Sequence, residues 1–336
     1  MKKILVTSLV VLLIATLIGG AWLEADMRKM LSTPLPIKQT RVLEVKPGQS
    51  LTSLARQLTS KGWIAHPYYL IFEGRRQEIA AKLKTGEFTI EPGTTPLQLL
   101  DILVQGKVKQ YSLTIPEGLT FLQILELLRQ DPRIVQTLGN LKPSAVMAEL
   151  GFAGYKPEGR IYPDTYHFPA GTRDVDFLRR AIEMQEQVLM EEWQQRDENL
   201  PYDSPYQALV MASIIEKETG VAEERGMIAG VFVRRLRKNM KLQTDPTVIY
   251  AMGDIYKGNI RKKDLSIDSP YNTYRYRGLP PTPIASAGRD ALHAALHPEP
   301  GESLYFVAKG DGSHHFSRTL QEHNRAVARY QLNRKR

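Results

Sequence analysis

Two glutamates flanking a lysine, Glu216-Lys-Glu218, close a run at residues 208–220 that reads as a helix: Ala-Leu-Val-Met-Ala-Ser-Ile-Ile-Glu-Lys-Glu-Thr-Gly. At about 100° per residue, Glu218 falls in the arc of Val210, Met211, Ile214 and Ile215, whereas Glu216 lies opposite with Ser213 and Lys217. A carboxyl on an apolar arc loses hydration. One in the last turn, with Gly220 as the terminating C′ residue, also feels the negative end of the helix dipole. Both effects raise its pKa. A carboxylic acid that keeps its proton near neutral pH can protonate a poor leaving oxygen, which is what breaking a glycosidic bond requires. Glu218 is therefore the candidate general acid; the plainer alternative is that it ends a helix and reaches solvent.

The segments that would complete a site around it are long polar loops, rich in Tyr, Pro, Gly and Asn, that set in from about Leu113. Residues 157–168, Pro-Glu-Gly-Arg-Ile-Tyr-Pro-Asp-Thr-Tyr-His-Phe, alternate polar and aromatic groups. That suits a sugar, whose CH faces stack on rings and whose hydroxyls bind carboxyls such as Glu158 and Asp164. Residues 243–250 place the amide of Gln243 and the carboxyl of Asp245 just before a helix initiated by Pro246. Residues 268–284 form another such loop, with Tyr271 and Asn272 near its start. Residues 304–317 predict a hairpin turning at Gly310-Asp-Gly312. His314, His315 and His323 lack zinc-site spacing and no cysteine joins them, so no metal is expected.

At the N-terminus, Lys2 and Lys3 precede residues 4–23, which contain no charge. About 20 apolar residues span a bilayer. Gly19-Gly-Ala21 is followed by bulky Trp22 and Leu23, unlike a cleavage site, which favours an uncleaved anchor. The leading lysines keep the N-terminus cytoplasmic and put the remainder across the membrane. The absence of cysteine leaves the exported part to its hydrophobic core. A net charge of +9 suits work beside anionic lipid or wall polymer. Nucleic acid is a poor fit: the basic residues are scattered, and the cluster Arg234-Arg-Leu-Arg-Lys238 reads equally well as a solvated helix face.

Between the anchor and position 130 one pattern recurs three times, from Val42, Phe88 and Leu113: a short strand, a Pro-Gly or Pro-Glu-Gly turn, a Ser or Thr cap and an amphipathic helix. A further helix from about Tyr68 to Leu83 connects the first two units. The stretch Val45-Lys-Pro-Gly-Gln-Ser-Leu51 resembles a LysM repeat, which implies binding of N-acetylglucosamine-containing glycans; a spacer module is the other reading. The resulting expectation is an α+β chain. Residues 1–24 are its cytoplasmic N-terminus and single transmembrane helix, 25–41 a linker, 42–112 a small LysM-like α/β module, and 113–336 a larger mixed α/β catalytic domain.

Six ordered motifs carry a wider resemblance: Ala212-Ser-Ile-Ile-Glu-Lys-Glu218, Gln243-Thr-Asp-Pro-Thr247, Tyr271-Asn-Thr-Tyr274, Gly278-Leu-Pro-Pro-Thr-Pro-Ile284, His314-His-Phe-Ser317 and Glu322-His-Asn324. Over almost its whole length the chain resembles the YceG-like (MltG) endolytic murein transglycosylases. The resemblance implies an enzyme anchored in the inner membrane that cuts nascent peptidoglycan strands in the periplasm, associates with peptidoglycan synthases and needs no cofactor. It assigns catalysis to the second glutamate of the motif, here Glu218. Gln243, Asp245, Tyr271 and Asn272, with Glu158 and Asp164, are expected to position substrate or support Glu218, or else to cap loops. Two rivals differ in chemistry. A second catalytic carboxylate, Asp245 or Asp164, would make the chain a muramidase hydrolysing with water. An inert Glu218 would leave a glycan-binding scaffold for wall synthesis.

Overall fold

The computed structural model describes residues 2–332. They form two compact units: one runs through Tyr111 and includes His167–Gly171, and the other comprises Ser112–Tyr166 and the chain from Thr172 onward.

The first unit begins with a helix, Lys2–Ser32, in which Thr7–Ser32 is long and apolar enough to cross a membrane. It is followed by strand Arg41–Val45, helices Leu51–Ser60 and Pro67–Arg76, strand Gly86–Ile90 and helix Pro96–Gln105. The strands pair antiparallel with Leu43 opposite Phe88. Their period-2 alternation turns Leu43, Val45, Phe88 and Ile90 onto the helices, where they meet Leu54, Leu58, Leu70, Leu99 and Leu103 in one core. The recurring strand–turn–helix pattern is present as read. Ser50 caps its helix through the Ser53 amide, and Thr95 and Thr120 each form a capping box with the glutamine three residues on. The third such helix, Phe121–Arg129, belongs to the second unit.

Two expectations need correction. Residues 25–41 are not a free linker: the first helix continues unbroken to Ser32, and Leu31, Leu35 and Ile37 are buried in the core of the first unit. The charged residues Glu24, Asp26, Arg28 and Lys29 end the apolar run without ending the helix, because Glu24, Arg28 and Lys29 are exposed and Asp26 accepts the Tyr69 hydroxyl, while Met27, Met30 and Leu31 face inward. The connecting helix stops at Arg76 and not near Leu83, since Glu78 takes a left-handed φ of 55° before a short 3-10 turn at Ile79–Ala81.

At the centre of the second unit is helix Pro205–Glu218, packed by helices Asp174–Gln194, Arg225–Arg237, Asp245–Met252 and Arg289–Leu296. Every residue from Ala208 to Ile215 is buried, Ser213 included. The helix therefore has no solvated face over that stretch, and the apolar-arc reading that set Glu218 inside and Ser213 outside is too simple. Ser213 is satisfied internally: its hydroxyl donates to Val210 O at 2.7 Å and accepts the Ile284 amide at 3.0 Å. Strands Tyr305–Ala308 and His314–Ser317 form the expected antiparallel hairpin, with Gly310 and Gly312 at positive φ in its turn. Helix Leu320–Val327, capped by Thr319 and Glu322, follows it.

Candidate active site

Glu218 is the last residue of the central helix. Thr219 leaves it in extended conformation (φ −143°, ψ 138°), so the helix ends without the left-handed glycine expected at Gly220. Two side chains before it anchor this end: the Lys217 ammonium donates to Gly118 O at 3.0 Å, and the Glu216 carboxylate accepts the Gly288 amide at 3.0 Å. Glu216 is half-buried and not solvated as the wheel suggested, and burial pushes its pKa up.

The Glu218 carboxyl opens into a cleft of about 480 Å³. Its pKa is raised to about 7, first by loss of hydration and then by the neighbouring charge of Asp245; the Thr244 hydroxyl and Arg235 act in the opposite direction. The Thr244 hydroxyl donates to Glu218 Oε1. Thr244 is itself pinned, because its amide donates to the Thr273 hydroxyl at 3.1 Å and its carbonyl accepts the Thr247 hydroxyl at 2.8 Å. Thr247 and Thr273 share a further hydroxyl–hydroxyl bond at 2.8 Å, within a buried cluster.

Asp245 begins helix Asp245–Met252, where a carboxylate suits the dipole, and it accepts the Tyr274 hydroxyl at 2.6 Å. Gln243 sits at a left-handed φ of 52°, donates its amide to Thr273 O at 3.2 Å and accepts Arg235 Nη1 at 3.4 Å. The Tyr271-Asn-Thr-Tyr274 motif thus divides its labour: Thr273 holds Thr244, and Tyr274 holds Asp245.

Of the residues anticipated for the site, Glu218, Gln243 and Asp245 line this cleft, and four do not. Asn272 is fully buried: its amide donates to Leu265 O and Ile267 O, and its oxygen accepts the Tyr274 amide, so it shapes the loop. Tyr271 shares a hydrogen bond with the Thr282 hydroxyl and packs its ring 4.8 Å from that of Tyr250. Glu158 is buried, accepting the Phe121 amide at the start of a helix and the Tyr250 hydroxyl, with its pKa raised by burial. Asp164 is exposed and accepts the Thr165 amide at 2.6 Å.

The cleft also contains residues whose roles the sequence reading left open. Arg235, from the cluster read as a solvated face, is buried: it donates to Leu304 O at 2.6 Å and Leu242 O at 2.8 Å, and stacks on Tyr305. Its position among Val231, Phe232, Val233 and Leu236 was the available sign. The hairpin and the helix after it contribute Tyr305, His314, His323 and Asn324, the last three of which two of the six motifs had marked without a function. His314 is bound to the Glu224 carboxylate through its amide and Nδ1. His323 stacks on Tyr305, and burial and Arg235 lower its pKa, favouring the neutral ring.

Among the described residues, one histidine–carboxylate group has metal-ligand types, Glu192 with His293 and His297. None of the three lines the cleft. Arg289 donates to Glu192 Oε1 at 2.8 Å and His293 Nδ1 lies 3.0 Å from Oε2, so both oxygens of that carboxylate already have partners.

A profile of the YceG-like family matches residues 43–329. A Bacillus subtilis (strain 168) protein named endolytic murein transglycosylase is 43% identical over 173 residues, which are 52% of this chain and 48% of that protein. A protein of the same name from Streptococcus pneumoniae (strain D39) is 31% identical over 184 residues, 53% of this chain and 33% of its own length. The matched region therefore spans half or less of these curated relatives. A crystal structure of a putative YceG-like protein from Listeria monocytogenes superimposes with a TM-score of 0.55 at 30% identity, covering 86% of this chain and 99% of that one. With the profile running from the first strand to the helix beyond the hairpin, the chain belongs to the YceG-like family.

Proposed function

We propose that the chain is an endolytic murein transglycosylase, a lyase that cleaves the β-1,4 bond between N-acetylmuramic acid and N-acetylglucosamine within nascent strands. The observation that carries this reading is a single carboxyl, Glu218, half-buried at a helix end in an open polar cleft, with its pKa raised to about 7. The name of the B. subtilis relative supports it. Protonated Glu218 gives its proton to the bridging oxygen as oxocarbenium character develops at C1 of the muramic sugar. The resulting carboxylate takes the proton of that sugar's C6 hydroxyl, whose oxygen attacks C1 and closes a 1,6-anhydro ring. Glu218 ends protonated as it began, and no water is consumed. Because the nucleophile is intramolecular, its effective concentration is high and one protein carboxylate suffices. In this scheme Thr244 orients the Glu218 carboxyl, while Asp245, held by Tyr274, keeps it basic enough for the second step. Gln243 and Arg235 offer polar contacts to sugar substituents from the same cleft.

The apolar N-terminal helix supports single-pass anchoring. The proposal places the N-terminus in the cytoplasm and the cleft in the periplasm, acting beside peptidoglycan synthases to terminate strands. Residues 42–112 are proposed as the LysM-like module, binding glycan or acting as a spacer. Hydrolysis remains the second reading because Asp245 shares the cleft with Glu218.

The test is mass spectrometry of fragments released from purified strands by the full chain and by Glu218→Gln. Ends lighter by one water, absent with the variant, are expected. Reducing ends would mean hydrolysis with a second carboxylate, and intact strands retained on the wild-type protein would mean a scaffold.

A further inference from the structure

Helix Pro67–Arg76 turns two large side chains outward, Tyr68 (76% exposed) and Phe72 (57%), on a face that no other described element covers. They line one wall of a groove of about 850 Å³ whose other wall is the N-terminal helix, from Gly20 and Leu23 to Ser32. The two helices are fixed to each other: the Tyr69 hydroxyl donates to Asp26 Oδ2 at 2.8 Å, and Met27 and Met30 pack on the same core as Leu70. The groove starts inside the apolar run, where Trp22 and Leu23 are exposed, and continues along the charged turns that follow. Arg28 and Arg76 border it with mostly exposed side chains, although each is paired with a glutamate.

We infer that the Pro67–Arg76 helix is a second membrane contact, with Tyr68 and Phe72 seated in the interface of the bilayer beside the point where the N-terminal helix leaves it. The inference rests on the reading of that helix as a membrane span. Three features select a lipid surface as the occupant. The patch is continuous with the apolar span, so a bilayer around that span reaches it. Its exposed groups are aromatic, the type that concentrates at the membrane–water boundary. Its border is charged but balanced, Arg28 with Glu24 and Arg76 with Glu73, a rim suited to the headgroup layer beside the apolar core. Two contacts on one rigid unit also restrict how that unit rotates about the anchor, which a lone helix would leave free.

The chain has no cysteine, so single cysteines introduced into the full protein carry a nitroxide without background labelling. Leu13→Cys reports the span, Phe72→Cys the proposed contact and Ile255→Cys an exposed site on the second unit. Each is reconstituted in vesicles of phosphatidylethanolamine and phosphatidylglycerol, and collision rates with oxygen and with a water-soluble nickel chelate are compared. The label at 72 is expected to favour oxygen over nickel several-fold more than the label at 255, approaching position 13, and to keep that ratio when the protein is diluted tenfold in lipid. If 13 is protected but 72 behaves like 255, the span stands and the second contact is overturned. If 13 and 72 are both open to nickel, the span reading fails and takes this inference with it. Protection of 72 that disappears on dilution would assign the face to a second copy of the chain and not to lipid.

Discussion

Glu218 is held between opposing influences: burial and Asp245 favour its neutral form, Thr244 and Arg235 its charged form. If it must be protonated for the first step, kcat/KM is full below about pH 7 and falls as pH rises through about 7. Removing the hydroxyl with Thr244→Val takes away a hydrogen bond that favours the anion, so the falling limb should move to higher pH. Asp245→Asn removes a like charge and should move it lower. Both are read from the pH profile of anhydro-end formation. Glu218→Gln should cost about 10²–10⁴-fold in rate, with an unchanged melting temperature as the check on folding. The candidate acid was legible in the sequence, because a carboxyl that closes an apolar helical run carries its own warning. Thr244, Arg235 and Tyr274 were not assigned, since each acts through a partner 26 to 29 or 69 residues away, or shares the cleft only after folding.

Elements were readable where their signals are local. The three caps at Ser50, Thr95 and Thr120 depend on side chains within three residues, and the hairpin turn on its own glycines. The burial of the central helix was not, because a wheel assumes one solvated face and four helices surround this one. Ser213→Ala tests the consequence. It leaves the Ile284 amide without its acceptor in a buried site and should destabilise the second unit by about 1–3 kcal/mol in urea unfolding. Gly159 has φ +73°, and a Cβ there would lie 2.4 Å from Pro283 Cβ. Gly159→Ala should therefore cost more than about 1 kcal/mol in the same assay, by loosening the contact between the 157–164 loop and the Gly278–Ile284 motif.

For the whole molecule, the continuation of the first helix into the core of the first unit sets where the anchor can be removed. Deleting residues 2–24 leaves Leu31, Leu35 and Ile37 in place, and the first unit should keep its urea midpoint. Deleting residues 2–38 removes all three buried side chains, each worth about 1.5–3 kcal/mol, and should lower that midpoint sharply or prevent folding. An equal midpoint for both truncations would mean that 25–38 is a linker after all.

The sequence by itself determined the apolar N-terminal helix, the repeated strand–turn–helix units, the candidate acid and the family, because each is written in contiguous composition, in local spacing or in ordered motifs. Tertiary structure alone decided which polar residues meet Glu218. Asn272 and Asp245 sit in equally polar loops, yet Asn272 spends its hydrogen bonds on its own loop while Asp245 opens a helix facing the cleft. Glu158 and Glu216 also have raised pKa values, chiefly from burial, so desolvation does not single out a catalytic carboxyl. What distinguishes Glu218 is that its helix ends at an open cleft, and the site of that opening depends on how the hairpin and the 243–274 segments pack, which no single stretch of sequence encodes.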